Sequence, residues 1–426
     1  MNPVVLTAMI VMFVLLFLRT PVFIVLLSAP AVYFFLTPGL PGQIAAQRVI
    51  AGIENIPLLA IPFFVCSGIV MNFAGVTTRI LRFAEVLMKK VPGGLAQVNV
   101  SLSVLMGGLS GSSLADAAMQ SKMLVPEMER VGFSNEFSTV ITAVSAILTL
   151  LIPPSVAMII YGSVANVSIG RLFVAGLGPA IFLYFSMMIM VGFISVKRKY
   201  SNQMLEDVSL GKVFIHAIIP LMLPIVLIGG IRFGVFTPTE GGAGTVVVAI
   251  ILSIIYREFT FLKLFKALKE TVCTTAAIMM IIGAASAFAW MLTRERIPQQ
   301  LTEFIVANVG NKYVFLLILN LFLLAIGLII EGNAAMIVLV PLFVPIARAF
   351  GINDIHFGMM FIFNMAIGSL SPPIGTLTFV TCSITKCRLA AFYKECIPFY
   401  ALLFICLMLL TYVPVFSLAF VNLIYG

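Results

Sequence analysis

Three acids of this chain stand where carboxylates are expensive. Asp116 lies in SGSSLADA (Ser110 to Ala117), Glu331 opens EGNAA (Glu331 to Ala335) and Glu240 lies in TPTEGGAG (Thr237 to Gly244), each inside or beside an apolar stretch. An ionisable group at membrane depth marks a functional site by default. Around these acids stand Gly, Ser, Asn and Thr, which supply hard, uncharged oxygen ligands and a closely approachable backbone. Two Pro-Pro doublets, in LTLLIPPS (Leu148 to Ser155) and GSLSPPIG (Gly368 to Gly375), add to the pattern. Proline removes a donor and stops the preceding turn from closing, which frees carbonyl oxygens. Freed carbonyls and hydroxyls suit Na⁺, and the N-termini of half-helices suit carboxylates. The residues point to binding of ions and anions. Metal-assisted hydrolysis lacks its parts: there is no H-E-x-x-H, and the two histidines, His216 and His356, fall at the ends of apolar runs.

The elements that position these residues must be membrane helices. The chain is 62% apolar and 10% charged, with a mean hydropathy of +1.17; soluble domains carry about 25% charged residues. Runs long enough to cross a bilayer recur at 3–18, 22–36, 56–74, 137–162, 171–195, 214–231, 239–256, 271–292, 313–330, 356–384 and 396–423. The first run lacks a basic leader and a cleavage site and reads as a retained span. The short alternating segments of an outer-membrane barrel are missing. Two further stretches, 98–128 and 326–348, are interrupted by Gly, Ser, Asn and Pro and read as re-entrant hairpins. Irregular backbone at this depth survives only when buried in protein or lining a water-filled cavity. The six cysteines form no C-x-x-C pair and read as small buried hydrophobes. No cofactor is expected.

The chain also repeats itself. Shifted by 219 positions, Gly108 falls on Gly327, Ala115 on Ala334, Pro126 on Pro345, Gly132 on Gly351, and Pro153-Pro154 on Pro372-Pro373. Residues 1–195 and 214–426 are read as two repeats joined by a cytoplasmic linker, 196–213. An odd number of crossings separates equivalent points, so the repeats are inverted. The fold class is therefore all-α and polytopic. Each repeat carries one hairpin (98–128 or 326–348) and one broken helix (137–162 or 356–384), an arrangement typical of transporters. With an outer N-terminus, 17 of the 25 Lys and Arg residues fall inside and seven outside, with Lys122 in the first hairpin. That bias predicts periplasmic termini. Residues 257–270 place Lys263, Lys266 and Lys269 opposite Phe261, Leu264, Phe265 and Leu268, which predicts a helix lying in the headgroup plane. Its shifted equivalent is 41–51; 77–90 pairs with 296–309.

SGSSLADA followed by LVPEM, then LIPPSVAMIIYG, TPTEGGAG and SPPIGTLTFV, occur in order along essentially the whole chain. In these motifs the chain resembles the large membrane subunit of tripartite ATP-independent periplasmic (TRAP) transporters. The resemblance implies a Na⁺-driven importer of organic-acid anions in the bacterial inner membrane, working as an elevator without enzymatic activity. It also implies two partners, a small four-span membrane subunit and a periplasmic substrate-binding protein. Nucleic acid is not an expected partner; membrane lipids are. The stretch AAMQSKMLVPEM is closer to the sialic-acid branch than to the C4-dicarboxylate branch, with Gln120-Ser121-Lys122 where many relatives have a small residue.

On this reading a first Na⁺ site forms from Ser110, Ser112, Thr149, Ile152 and Pro154. The 219-residue shift places a second at Gly332, Gly368, Ser371 and Pro373, with Thr376 beside it. The alternative is that these small residues merely permit tight helix packing. Na⁺ is the one metal expected. Substrate contacts are expected from Ser113, Asp116, Ser155 and Asn333; a helix-capping role is the alternative for Asp116, and Glu331 and Glu240 pose the same question. Lys122 has two readings, a charge for the anion or an ion pair with Asp116, and snorkelling is a third. Trp290 reads as packing or as an interfacial anchor. The pair Ser112 and Glu331 is where the pseudo-symmetry is expected to fail first. A binding-protein-independent Na⁺ or H⁺ symporter of carboxylates with related architecture is the alternative transporter. An intramembrane hydrolase lacks a polar dyad, and a channel lacks a continuous filter.

Overall fold

The computed structural model describes residues 2–18, 20–200, 210–372 and 375–426. Arg19, half of the 196–213 linker and Pro373 lie outside the described residues, as does the side chain of His216. Among the described residues every regular element is a helix. Lipid offers backbone groups no partners, so each segment satisfies its own. The chain supplies caps where helices begin: Ser134, Ser168, Asn311 and Asn353 each accept a backbone N–H of the first turn. Thr237 and Glu240 form a reciprocal capping box at the start of Pro238–Ile255. Outward-facing Phe35, Ile189 and Leu423 are largely exposed, as lipid-facing residues are.

The first hairpin consists of Leu95–Ser110 and Ser113–Arg130, close to the expected 98–128. The first broken span runs through Asn135–Ser145, Leu148–Leu151 and Val156–Ala165, and its two halves are bent by 43°. In the second repeat the expected boundaries need correction. The arms flanking the Glu331 turn are Lys312–Gly327 and Gly332–Ala349. The segment 313–330, expected to cross, is thus the hairpin's first arm, and 326–348 omits most of it. Its apolarity, interrupted by Asn320 alone before Gly327, gives it the look of a crossing. Among the described residues six helices are long and apolar enough to cross a membrane, or seven with the bent pair counted as one span.

Two more expectations change. The helix expected in the headgroup plane at 257–270 and the span 271–292 are one continuous helix, Phe261–Arg294. Its 34 residues extend about 51 Å at 1.5 Å per residue. In the first repeat the counterpart is jointed into Gln43–Ile53, a 3₁₀ turn at Ile56–Leu59 and Ala60–Phe73. Pro57 stands at the joint, and Ala276 stands at the shifted position. Where proline withholds a donor the helix breaks, and where alanine replaces it the helix continues. The span 396–423 is likewise two pieces, Leu389–Tyr412 and Val415–Tyr425, separated at Pro414.

The repeats interlock. The second arm of each hairpin packs against the far half of the other repeat's broken span: Ser113–Arg130 on Thr376–Thr385, and Gly332–Ala349 on Val156–Ala165. Glycines allow backbones to touch inside this body. A Cβ on Gly368 would lie 2.7 Å from the Cα of Gly327, and one on Gly107 would lie 2.9 Å from the Cα of Thr149. The remaining helices, chiefly Ala60–Phe73, Pro238–Ile255 and Phe261–Arg294, pack together as a second group against the hairpins.

Contacts between helix ends fall into two sets. Arg198 pairs with Glu395 at 2.6 Å, and Arg79 lies over the Tyr256 ring; all four neighbour the lysine-rich ends. Arg48 and Arg294 both lie over Trp290, and Arg171 and Arg232 over Tyr425. None of the ion pairs Arg130–Glu127, Arg198–Glu395, Lys263–Glu258 and Arg348–Asp354 joins the two sets.

Candidate transport site

The first hairpin turns on two residues. Gly111 ends Leu95–Ser110 in the left-handed region at φ 60°, and Ser112 is extended and caps the second arm, accepting the Ala115 N–H at 3.4 Å. A side chain at Gly111 is excluded twice, by its φ and by the Pro154 carbonyl oxygen, which would stand 2.6 Å from a Cβ. The turn therefore rests directly on the break of the first broken span, and the Val156 N–H reaches the Gly111 carbonyl at 3.5 Å.

Beneath this turn lies Asp116, completely buried. Its Oδ2 accepts from the Thr149 hydroxyl at 2.9 Å, and the Ser110 hydroxyl lies against the same carboxyl. Its Oδ1 has no hydrogen-bond partner among the described residues. An orphaned carboxylate oxygen in the interior carries a large desolvation cost unless a cation or proton meets it. Ser110 and Thr149 meet this carboxyl, Ser112 and the Pro154 carbonyl stand at the turn above it, and Ile152 packs against Gly107 beside them. A buried network backs the cluster: Gln120 bonds Ser103, Ser103 bonds Ser145 at 2.8 Å, Ser145 bonds Asn99, and Asn99 bonds Thr142 at 2.7 Å. Gln120, the departure noted in the sequence, therefore ties the two hairpin arms to the broken span.

The second hairpin keeps the same capping geometry with a different residue. Glu331 caps Gly332–Ala349, accepting the Ala334 N–H at 3.0 Å and the Asn333 side-chain amide at 2.9 Å. Ser112 and Glu331 thus do one backbone task. The deeper asymmetry lies elsewhere: the 219-residue shift sends Asp116 to Ala335 and Thr149 to Gly368, so the second repeat has no counterpart of that buried pair. Of the expected second site, Gly332 and Thr376 reach a common cavity. Gly368 is pressed against Gly327, and the Ser371 hydroxyl bonds the Ile367 carbonyl of its own helix at 3.1 Å. The Leu370 carbonyl is taken by Thr378 and Tyr400, and the Ser369 carbonyl by the Leu377 N–H.

Both hairpin tips open on one cavity of about 450 Å³. Ser110 to Ala115 form one wall and Glu331 to Asn333 another, with Ser369 and Thr376 from the second broken span. Facing them are Val65, Gly68 and Asn72 of Ala60–Phe73 and Glu270, Thr274 and Ile281 of Phe261–Arg294. Of the four residues expected to touch substrate, Ser113 and Asn333 line this cavity. Asp116 and Ser155 do not: both are fully buried behind the tips. Asp116 turns toward Thr149, and Ser155 starts the helical half beneath Gly111, so neither helix phase delivers its side chain to the cavity. Asn72, Glu270, Thr274 and Ser369 were not predicted. No local motif marks the first three, because only packing brings their helices to the tips.

The other candidates settle into structural tasks. Lys122 is exposed while Asp116 is buried, so the two do not pair. Glu240 is exposed and completes its capping box. His356 is buried with Nδ1 on Ser417 at 2.8 Å and Nε2 on the Thr411 carbonyl at 3.1 Å, so both nitrogens are engaged. Trp290 stacks on Phe34 at 5.4 Å, in keeping with packing.

Comparison with known proteins assigns this architecture. The family described as "Tripartite ATP-independent periplasmic transporter, DctM component" matches residues 9–416. The chain is 38% identical to the sialic acid TRAP transporter large permease protein SiaM of Vibrio cholerae, over 97% of each chain. It is 35% identical to the C4-dicarboxylate TRAP transporter large permease protein DctM of Pseudomonas aeruginosa, over 87% of each. The crystal structure of the Alcanivorax borkumensis YdaH transporter superposes with a TM-score of 0.65 at 14% identity, covering 92% of this chain and 96% of that one, a likeness of fold alone. With its inverted hairpins meeting at one cavity and its motifs matched along the whole length, the chain belongs to the DctM family of large permease subunits of TRAP transporters, and it is a transport subunit and not an enzyme.

Proposed function

We propose that this chain carries an organic-acid anion, of the sialic acid or C4-dicarboxylate type, across the inner membrane by Na⁺-coupled elevator movement. A periplasmic binding protein delivers the substrate, and a small four-span subunit enlarges the scaffold. One observation carries the reading: two hairpin tips, one from each repeat, share a cavity with Ala60–Phe73 and Phe261–Arg294, and the first tip rests on a buried acid with an unpartnered oxygen. Ser110, Asp116 and Thr149 would meet Na⁺ as a co-substrate, with the Pro154 carbonyl at the turn. Binding there fixes the tip, and the fixed tip presents Ser113 and the first-turn N–H groups of Ser113–Arg130 to the carboxylate. For coupling to arise, Na⁺ must favour the substrate-competent tip over other arrangements. The interlocked hairpins and broken spans are the natural moving body, because their mutual packing would resist separation.

The cavity walls run along Gly68 to Asn72 and along Ile281 to Glu270, toward the lysine-bearing end of the long helix and the Arg79 that follows the shorter one. By the positive-inside bias this is the cytoplasmic side, so the arrangement is read as inward-open with periplasmic termini. The test is uptake into proteoliposomes containing this chain, its small-subunit partner and the substrate-loaded binding protein. Uptake should require an inward Na⁺ gradient. Equal rates with and without the gradient would remove the coupling, and uptake without binding protein would favour the independent symporter.

A further inference from the structure

The two tips that share the cavity differ in charge. Among the described residues lining it there is no Lys, Arg or His, and the ionisable side chains are Glu331 and Glu270. Glu331 belongs to the second tip; Glu270 is exposed at the far end of the long helix's wall. Ser112, the residue that corresponds to Glu331, caps its helix without charge.

This gives the cavity two unlike poles. At the first tip the N-terminus of an 18-residue helix, the Ser112 and Ser113 hydroxyls and an uncharged cap face the cavity. The acid of that first turn, Asp116, is buried behind it. This pole offers hydrogen-bond donors to an anion. At the second tip the helix N-terminus is met by the Glu331 carboxylate, and the Asn333 amide donates its N–H to Glu331, leaving its Oδ1 as acceptor. This pole offers acceptors and negative charge.

We infer that Glu331 is a specificity-determining residue, which makes this transporter select monocarboxylates carrying hydroxyl, amide or ammonium donors and reject substrates with a second carboxylate. The inference rests on the organic-anion reading above. A single carboxylate is received at the first tip while donor groups reach Glu331 and Asn333. A dicarboxylate spanning the cavity brings its second charge to Glu331, where no cationic side chain offsets the repulsion. Loss of a donor forgoes its hydrogen bonds to Glu331 and the Asn333 Oδ1, and hydrogen-bonded recognition discriminates more sharply than apolar contact.

Glu331→Ser is the informative variant, because serine also caps helices and reproduces the first tip. Thermal stabilisation of the purified full chain in saturating Na⁺ is measured with N-acetylneuraminate, which has one carboxylate with hydroxyls and an amide, and with succinate, which has two carboxylates. The natural chain should be stabilised by N-acetylneuraminate at concentrations at least tenfold lower than succinate. Glu331→Ser should shrink that ratio at least tenfold, with the Na⁺ concentration for half-maximal stabilisation unchanged. Succinate binding the natural chain as well as N-acetylneuraminate, or a ratio that survives the substitution, overturns the inference. A shift in Na⁺ dependence with the ratio preserved also overturns it, making Glu331 a cation ligand instead. If neither compound stabilises the natural chain, the organic-anion reading itself fails. Should Glu331→Ser not fold, Glu331→Gln serves the same comparison.

Discussion

Replacing Gly111 by alanine tests the coupling of the first tip to Na⁺. The residue sits at φ 60°, and its Cβ would stand 2.6 Å from the Pro154 carbonyl oxygen. Left-handed backbone costs an L-residue roughly 1–2 kcal/mol. If Na⁺ holds the tip in this conformation and its absence lets it relax, the cost falls on the bound state. At 1.4 kcal/mol per tenfold change, Na⁺ binding weakens by about five- to thirty-fold. The carbonyl contact adds to this, since it moves the tip off the break by several tenths of an ångström. Gly132→Ala is the matched control: it has φ 97° with nothing within 4 Å of its Cβ, and it follows the second arm of the same hairpin. It should lower thermal stability and leave Na⁺ dependence alone. The assay is the Na⁺ concentration for half-maximal uptake in proteoliposomes, read beside the melting temperature. Equal Na⁺ dependence in the two variants would refute the argument that the Gly111 turn and the cation share one equilibrium.

Asp116→Asn keeps the shape of the buried side chain and removes its charge, and is expected to reduce Na⁺ stimulation of uptake more than tenfold; retained stimulation would place the cation elsewhere. Gly368→Ala puts a Cβ 2.7 Å from the Gly327 backbone and should cost about 1–3 kcal/mol of stability by overpacking, seen as a lowered melting temperature in detergent. His356→Phe should destabilise by about 1–3 kcal/mol, since the Ser417 hydroxyl and Thr411 carbonyl lose their partner, while the pH profile of uptake stays as it is; a changed profile would reinstate a proton relay. Gln120→Leu breaks the link to Ser103 and should lower stability with little change in substrate selectivity, measured by competition.

Much of this architecture was legible because breaks in membrane helices cannot be hidden. Gly111-Ser112, Pro153-Pro154 and the Glu331 turn each free backbone groups that demand a partner, and the constant shift names the pairs. The first arm of the second hairpin was not legible: Lys312–Gly327 is apolar enough to pass for a crossing, and only its partner fixes its direction. The fused helix Phe261–Arg294 was missed because a lysine stripe ends in an apolar run without announcing whether a bend intervenes. The direction of Asp116 was also hidden. Ser113 and Asp116 are three residues apart, near neighbours on a helix face, yet one reaches the cavity and the other Thr149. The scaffold wall at Asn72, Glu270 and Thr274 depends on tertiary packing that no motif encodes. Glu331 shows the reverse case: the residue expected to break the symmetry preserves the capping geometry and alters the charge.

The long helix Phe261–Arg294 ties the cavity to the bilayer's own dimensions. A rod of about 51 Å exceeds a hydrocarbon core of about 30 Å, and a helix with no joint answers a change of thickness chiefly by tilting. Glu270, Thr274 and Ile281 ride on that rod, so acyl-chain length sets the angle of one cavity wall. The jointed counterpart in the first repeat can bend at Pro57 instead. The two halves of this protein therefore respond unequally to the same membrane, and its lipid composition becomes part of the shape the substrate meets.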